Sequence, residues 1–163
     1  ISNSILGATL ITKGRPTVLE QINLCDVSQL ALLDLDQSQR QRIQQSFEQP
    51  VIYADADPIV LRLAIRNLLE NALKYSPADT SVLFELVADE ERLAMVIRVT
   101  NELIDPAMLS DDIFERNRRG VDSQYAGYGL GLYIVKEVAE MHHGELGYHV
   151  ADGKVAFELS IPA

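Results

Sequence analysis

Residues 55–77, DADPIVLRLAIRNLLENALKYSP, constrain this chain more than any other stretch. Asp57 is a good N-cap, and Pro58 suits the first helical position, where a missing N–H costs nothing. Ser76-Pro77 ends the run, because the residue before a proline is pushed out of the helical region. Between these signals Leu61, Ile65, Leu68 and Ala72 fall on one stripe of a helix. Asn67, Asn71 and Lys74 fall on another, roughly 120° away at about 100° per residue. A long helix with such an apolar stripe must bury it, so the rest of the fold has to be built around it. The second stripe leaves two readings open. It is a solvated helix face, or it is a line of ligands. An amide oxygen is a hard donor that suits Mg²⁺, and a lysine ammonium neutralises a phosphate oxygen as a point charge.

The flanking sequence supplies a sheet. VLEQINL (18–24) is expected to be a strand, followed by a helix through VSQLALLDLDQSQ (27–39) capped by Asp26. Short strands are expected around RIQQSF (42–47) and VIYA (51–54). SVLFELVAD (81–89) and RLAMVIRVT (92–100) are two apolar strands separated by a charged turn. Residues 101–129 are polar and aperiodic, which predicts a long loop. A helix from about Leu130 to His142 is expected next, stopped by Gly144. ELGYHV and KVAFELSI then form a hairpin turned at Asp152-Gly153. This order of elements predicts an α/β two-layer sandwich, with helices over one face of a mixed or antiparallel sheet.

The chain has 163 residues, within the range of one domain. Its formal charge is −10, from 24 acidic and 14 basic residues, which disfavours general binding to nucleic acid or to an anionic membrane. A bound phosphate would need a local cluster of donors and cations. The single cysteine, Cys25, excludes an internal disulfide framework and suits a reducing compartment. No apolar run has the ~20 residues of a membrane-spanning helix, and no secretory signal is visible.

Two further features could supply that local cluster. GYGLGL (127–132) precedes the last expected helix. Helix N-termini present unpaired N–H groups, and glycine lets an anion approach without meeting a Cβ. A flexible hinge or a close packing contact is the alternative. Upstream, IFERNRRG places Arg116, Arg118 and Arg119 together. They suit a polyanion, or pair with Asp111, Asp112 and Glu115 as a surface patch, while Phe114 anchors the loop.

Together these motifs resemble the ATP-binding domain of sensor histidine kinases, in the GHKL superfamily. RNLLENALKYSP resembles the N box of that family, IFERNRRG its F box, and GYGLGLYIVKEVAEMHHGEL its G2 box. The resemblance runs from about Val18 to Pro162. It implies the Bergerat fold, a mixed, mostly antiparallel sheet covered on one face by three helices, with ATP and Mg²⁺ as cofactors. It further implies that Asn71 ligates Mg²⁺, that Lys74 and Tyr75 lie beside the phosphates and adenine, and that Asn67 lines the phosphate site. By the same resemblance Arg119 approaches the terminal phosphate. Gly127, Gly129 and Gly131 are the G2 glycines, with Leu130 between the last two and Leu132 directly after them, and residues 110–128 form the ATP lid.

The family's G1 box is absent. Its adenine-binding Asp corresponds to Asn101, and VTNELIDP lacks both glycines. Asn still accepts a hydrogen bond from an amino group, but Leu103 and Asp105 narrow the expected pocket. An alternative therefore stays open: a nucleotide-poor regulatory or docking module of the same fold. Hydrolysis of the gyrase type is disfavoured, because Asn67 stands where those ATPases have a Glu general base. The histidines His142, His143 and His149 are expected to be structural, which puts the phosphoacceptor on a separate dimerisation domain. Residues 1–16 are then a connector remnant and residues 17–163 the kinase domain. A chain beginning without Met fits an excised fragment. The resemblance implies a response regulator as partner, a homodimeric parent with a monomeric fragment, and a cytoplasmic place within a membrane-anchored sensor.

Overall fold

A computed structural model of the chain describes residues 17–104 and 126–163. Its elements are β1 (Glu20–Asn23), α1 (Leu24–Leu33), α2 (Gln37–Gln41), β2 (Ile43–Phe47), β3 (Tyr53–Ala56), α3 (Pro58–Lys74), β4 (Val82–Asp89), β5 (Ala94–Glu102), α4 (Ala126–Met141), β6 (Glu145–Ala151) and β7 (Lys154–Pro162). The long helix is the one the sequence predicts. Asp57 Oδ1 accepts from Ile59 N at 3.1 Å, and its Oδ2 accepts from Val18 N at 3.1 Å. Leu61, Ile65, Leu68 and Ala72 are at most 4% exposed.

Five strands form the main sheet in the order β2-β4-β5-β7-β6. Only β2 and β4 are parallel, and α3 lies in the crossover that such a pair requires. Phe84, Leu86, Ile97, Val99, Val155, Phe157 and Leu159 share the face that meets the helices. The opposite face carries Glu85, Arg98 and Glu158 side by side on three strands. Arg98 Nε donates to Glu158 Oε2 at 2.6 Å, and Glu85 lies 3.6 Å from the same guanidinium. This alternation, apolar inward and paired charge outward, is what one-sided burial of an antiparallel sheet demands. The layers and the mixed, mostly antiparallel sheet match the expected sandwich.

Several expectations need correction. β1 and β3 do not join the main sheet but pair with each other as a separate antiparallel ribbon. Asp26 is not a cap. Asn23 Oδ1 accepts from Cys25 N at 3.0 Å and from Ile52 N at 3.0 Å, so α1 starts earlier and Asp26 sits in its first turn. The expected single helix over 27–39 is two, because Asp36 forms a capping box with Gln39 and starts α2 afresh. Asn101 belongs to β5 rather than to the loop, and α4 begins at Ala126. The glycines of GYGLGL are thus helical. Helical glycine costs about 1 kcal/mol relative to alanine, and packing of α4 against α3 offsets it.

α1 and α3 are tied by a fork. Arg62 Nε donates to Asp34 Oδ2 at 2.8 Å, and Arg62 Nη2 donates to Asp34 Oδ1 at 2.6 Å. These hydrogen bonds hold the Asp34 carboxyl below its ordinary value. A carboxylate with a depressed folded pKa stabilises above the unfolded value, near pH 4, and loses that contribution as pH falls through the folded value. Arg62 is 41% exposed, so the pair belongs to the solvent-screened class worth about 0.5–1 kcal/mol. Asp34→Asn is expected to lose that amount at pH 7 and to show a flatter stability profile below about pH 4. Urea midpoints measured from neutral to acid pH check it; parallel profiles for the two proteins would contradict it.

Candidate functional site

The Asn67–Asn71–Lys74 stripe is not a solvated face. Asn67 is 3% and Asn71 7% exposed, while Lys74 reaches solvent. The reason is that α3 is central, with α1 packed on it and α4 packed along it. Asn67 Nδ2 donates to Leu63 O at 2.9 Å. Asn71 Nδ2 is buried without a hydrogen-bond partner among the described residues. Burying such a donor costs about 1–3 kcal/mol, so its retention asks for a reason outside stability.

Gly131 lies against that amide. A Cβ at Gly131 would stand 2.9 Å from Asn71 Nδ2 and 3.1 Å from Asn71 Oδ1. Contacts that close displace the neighbour, so glycine at this position lets the G2 segment of α4 sit on the Asn71 side chain. The structure therefore brings together two of the residues singled out by sequence, 60 positions apart. Leu132, next in α4, is 1% exposed and belongs to the core. Gly127, Gly129 and Leu130 lie in the first turns of α4. Arg119, and residues 105–125 as a whole, lie outside the described residues.

At the C-terminal end of α3, Lys74 Nζ stands 5.2 Å from the centroid of the Tyr75 ring, and Tyr75 is 9% exposed. This cation–π contact keeps the ammonium beside the helix end. Asn101, 2% exposed, continues the two-residue period of Ile97 and Val99 and so faces the helix layer. Its Nδ2 donates to Glu102 O at 2.8 Å, which leaves Oδ1 as the accepting end of the amide. Leu103 is half-buried against the core, and its N–H donates to Gly153 O at 2.9 Å, so the stretch in place of the G1 glycines is tied to the β6–β7 turn.

Two carboxyl or imidazole candidates are accounted for structurally. Glu70 Oε1 accepts from Arg66 Nε at 2.9 Å and is engaged in an ion pair. His142 is 3% exposed; its Nε2 accepts from Asp57 N at 2.9 Å and its Nδ1 lies 2.7 Å from Val138 O. Those partners require a proton on Nδ1 and none on Nε2. His142 thereby locks the end of α4 to the start of α3. His143 and His149 are exposed.

The amide oxygen of Asn71 is a hard donor that fits a cation such as Mg²⁺, and its buried Nδ2, without a hydrogen-bond partner among the described residues, fits an acceptor such as a phosphate oxygen. Among the described residues there is no cluster of three His, Cys, Asp or Glu for a cation to use instead. Also among them, no helix is long and apolar enough to cross a membrane.

Comparison with known proteins agrees with this arrangement. The model of the family described as histidine kinase-, DNA gyrase B- and HSP90-like ATPase matches residues 56–163. The sensor protein BasS of Escherichia coli K12 is 35% identical over 96 residues, which is 58% of this chain and 25% of BasS. The sensor protein QseC of the same organism is 33% identical over 144 residues, covering 82% of this chain and 30% of QseC. The chain thus spans less than a third of either relative. Among solved structures, the mycobacterial sensor histidine kinase MprB superposes with a TM-score of 0.69 at 26% identity, over 89% of this chain and 97% of that one. A buried amide pressed on a helical glycine, inside this sandwich and with this match, leaves one assignment: the chain belongs to the histidine kinase-, DNA gyrase B- and HSP90-like ATPase family.

Proposed function

We propose that this chain is the ATP-binding catalytic domain of a sensor histidine kinase, presenting Mg²⁺-ATP to a histidine on a separate dimerisation domain. The observation that carries the proposal is the buried Asn71 amide set against Gly131, where the N box meets the G2 box, with its Nδ2 lacking a hydrogen-bond partner among the described residues. Mg²⁺, when bound, would neutralise phosphate charge. Asn71 would ligate it, and Lys74 would hold a phosphate oxygen as a point charge. Asn67 would line the phosphate site, and Tyr75 would lie beside the adenine. Asn101 Oδ1 would accept from the adenine amino group. Gly127, Gly129 and Gly131 would let the nucleotide approach the backbone of α4. Arg119, in the proposed lid, would reach the terminal phosphate.

Transfer to an external histidine is favoured over hydrolysis, since Asn67 is no base and Glu70 is engaged by Arg66. The buried His142, with both ring nitrogens on main-chain groups, is no acceptor. In this reading residues 1–16 connect to the dimerisation domain and residues 17–163 form the kinase domain. The parent is a homodimeric, membrane-anchored sensor with this domain in the cytoplasm and a response regulator as partner.

The second reading, a nucleotide-poor docking module, is favoured by Leu103, which packs where the family has glycine. Calorimetric titration with Mg²⁺-ATP separates the two. In a kinase, Asn101→Ala weakens binding and Asn101→Asp tightens it several-fold, the difference between a neutral and a charge-assisted hydrogen bond of about 1 kcal/mol. A wild type and both variants that give no heat and no protection by nucleotide would leave the docking module.

A further inference from the structure

Arg42 is the last residue before β2, and its backbone is fixed on both sides. Its N–H donates to Gln39 O at 3.1 Å, and its carbonyl accepts from Val82 N at 2.8 Å. The side chain crosses to the far end of α3. Nε donates to Thr80 O at 3.1 Å, Nη1 to Leu73 O at 3.1 Å, and Nη2 to Ser76 Oγ at 2.8 Å and Pro77 O at 2.9 Å. Four of the five guanidinium N–H groups are thus spent on the eight-residue stretch 73–80. Three of the acceptors are main-chain carbonyls, and among the described residues no carboxylate pairs with Arg42.

That choice of partners has a physical reading. The last four carbonyls of a helix have no intrahelical donor. Tyr75 N takes Asn71 O at 3.0 Å, and Arg42 takes Leu73 O. A positive charge there also opposes the negative end of the helix dipole. The same last turn carries Asn71 and Lys74 and leads directly into Tyr75. A guanidinium whose planar fork spans Leu73, Ser76, Pro77 and Thr80 fixes both the end of α3 and the path of the chain leaving it. A lysine, with three donors on one atom, cannot span those acceptors.

We propose that Arg42 is a positioning residue of the nucleotide site: it holds the last turn of α3 so that Asn71 and Lys74 meet the phosphates in register. The inference rests on the nucleotide reading above. It assigns the site's geometry to a residue that would touch no ligand and lies outside the motifs that carry the family resemblance.

The test uses Arg42→Lys and Arg42→Ala in the full chain, with two readouts. In Arg42→Lys, which keeps the charge, the affinity for Mg²⁺-ATP should fall about tenfold, equivalent to about 1.4 kcal/mol. Amide exchange over residues 71–77 should accelerate by a similar factor, with β5 and β7 unchanged. Lys74→Ala should cost less in the Arg42→Lys background than in wild type, because an ammonium already out of register has less to lose. A merely structural Arg42 would give additive effects and uniformly faster exchange. Wild-type affinity and wild-type protection of residues 71–77 in both variants would overturn the proposal. If the wild type binds no nucleotide, the nucleotide reading fails and the site role of Arg42 with it; the exchange data then decide only whether Arg42 holds the helix end.

Discussion

Asn71→Ala is expected to weaken Mg²⁺-ATP binding by about a hundredfold or more while leaving folding stability within about 1 kcal/mol of wild type. The two halves of this result have different causes. In the proposed site Asn71 holds the cation, and loss of such a ligand costs at least what loss of an outer-shell partner costs, about 10–100-fold. The fold loses little, because the substitution deletes a buried donor that has no partner among the described residues. Relief of that desolvation, about 1–3 kcal/mol, offsets the small void left beside Gly131. Denaturant unfolding and calorimetric titration on one preparation check both halves. An affinity loss matched by an equal loss of stability would instead make Asn71 a packing residue. A stable protein with unchanged affinity would remove it from the site.

Among alanine substitutions at Gly131, Gly144, Gly147 and Gly153, Gly144→Ala should produce the largest loss of stability, at least about 3 kcal/mol. A Cβ at Gly144 would lie 1.8 Å from Ser160 O and 2.9 Å from Ser160 C, both main-chain atoms of the adjoining strand. Backbone in a paired strand cannot rotate away, so α4 or β6 must shift. Gly147→Ala, three residues on and within β6, meets nothing within 4 Å and should be neutral or slightly stabilising. The residue before Gly144 behaves differently again. His143 has φ +60, and His143 N and Gly144 N donate to Glu140 O and Ala139 O at 3.0 and 2.8 Å, the pattern of a Schellman stop. The left-handed position thus belongs to His143, and Gly144 is glycine for want of space. Urea midpoints for the three proteins give the ranking directly; a mild Gly144→Ala would mean that β6 and β7 part easily at that point.

The long helix was legible because its signals are local. Asp57, Pro58, Ser76 and Pro77 act on the residues next to them, and the apolar stripe needs only helical period to be seen. The hairpin was legible for the same reason: Asp152 and Gly153, with φ of +54 and +75, form the turn their residue types favour. The boundary at Asp26 was not legible because Asp26 is a good cap in isolation, and the break at Asp36, which does cap α2, was hidden by an apolar period that runs up to it. The choice went to Asn23, whose amide also meets Ile52 N from another part of the chain.

The sequence by itself determined most of the elements and their order, the long helix and the hairpin above all, since propensity, capping and periodicity operate over a few positions. Tertiary structure alone decided what those residues do to one another. It buried Asn71 and set Gly131 upon it, gave the end of α3 to an arginine 31 residues from Leu73, and joined His142 to Asp57 across 85 residues. Such contacts depend on where the chain returns. A guanidinium seeking carbonyl oxygens, or a glycine making room for an amide, leaves no periodic trace in the sequence that carries it.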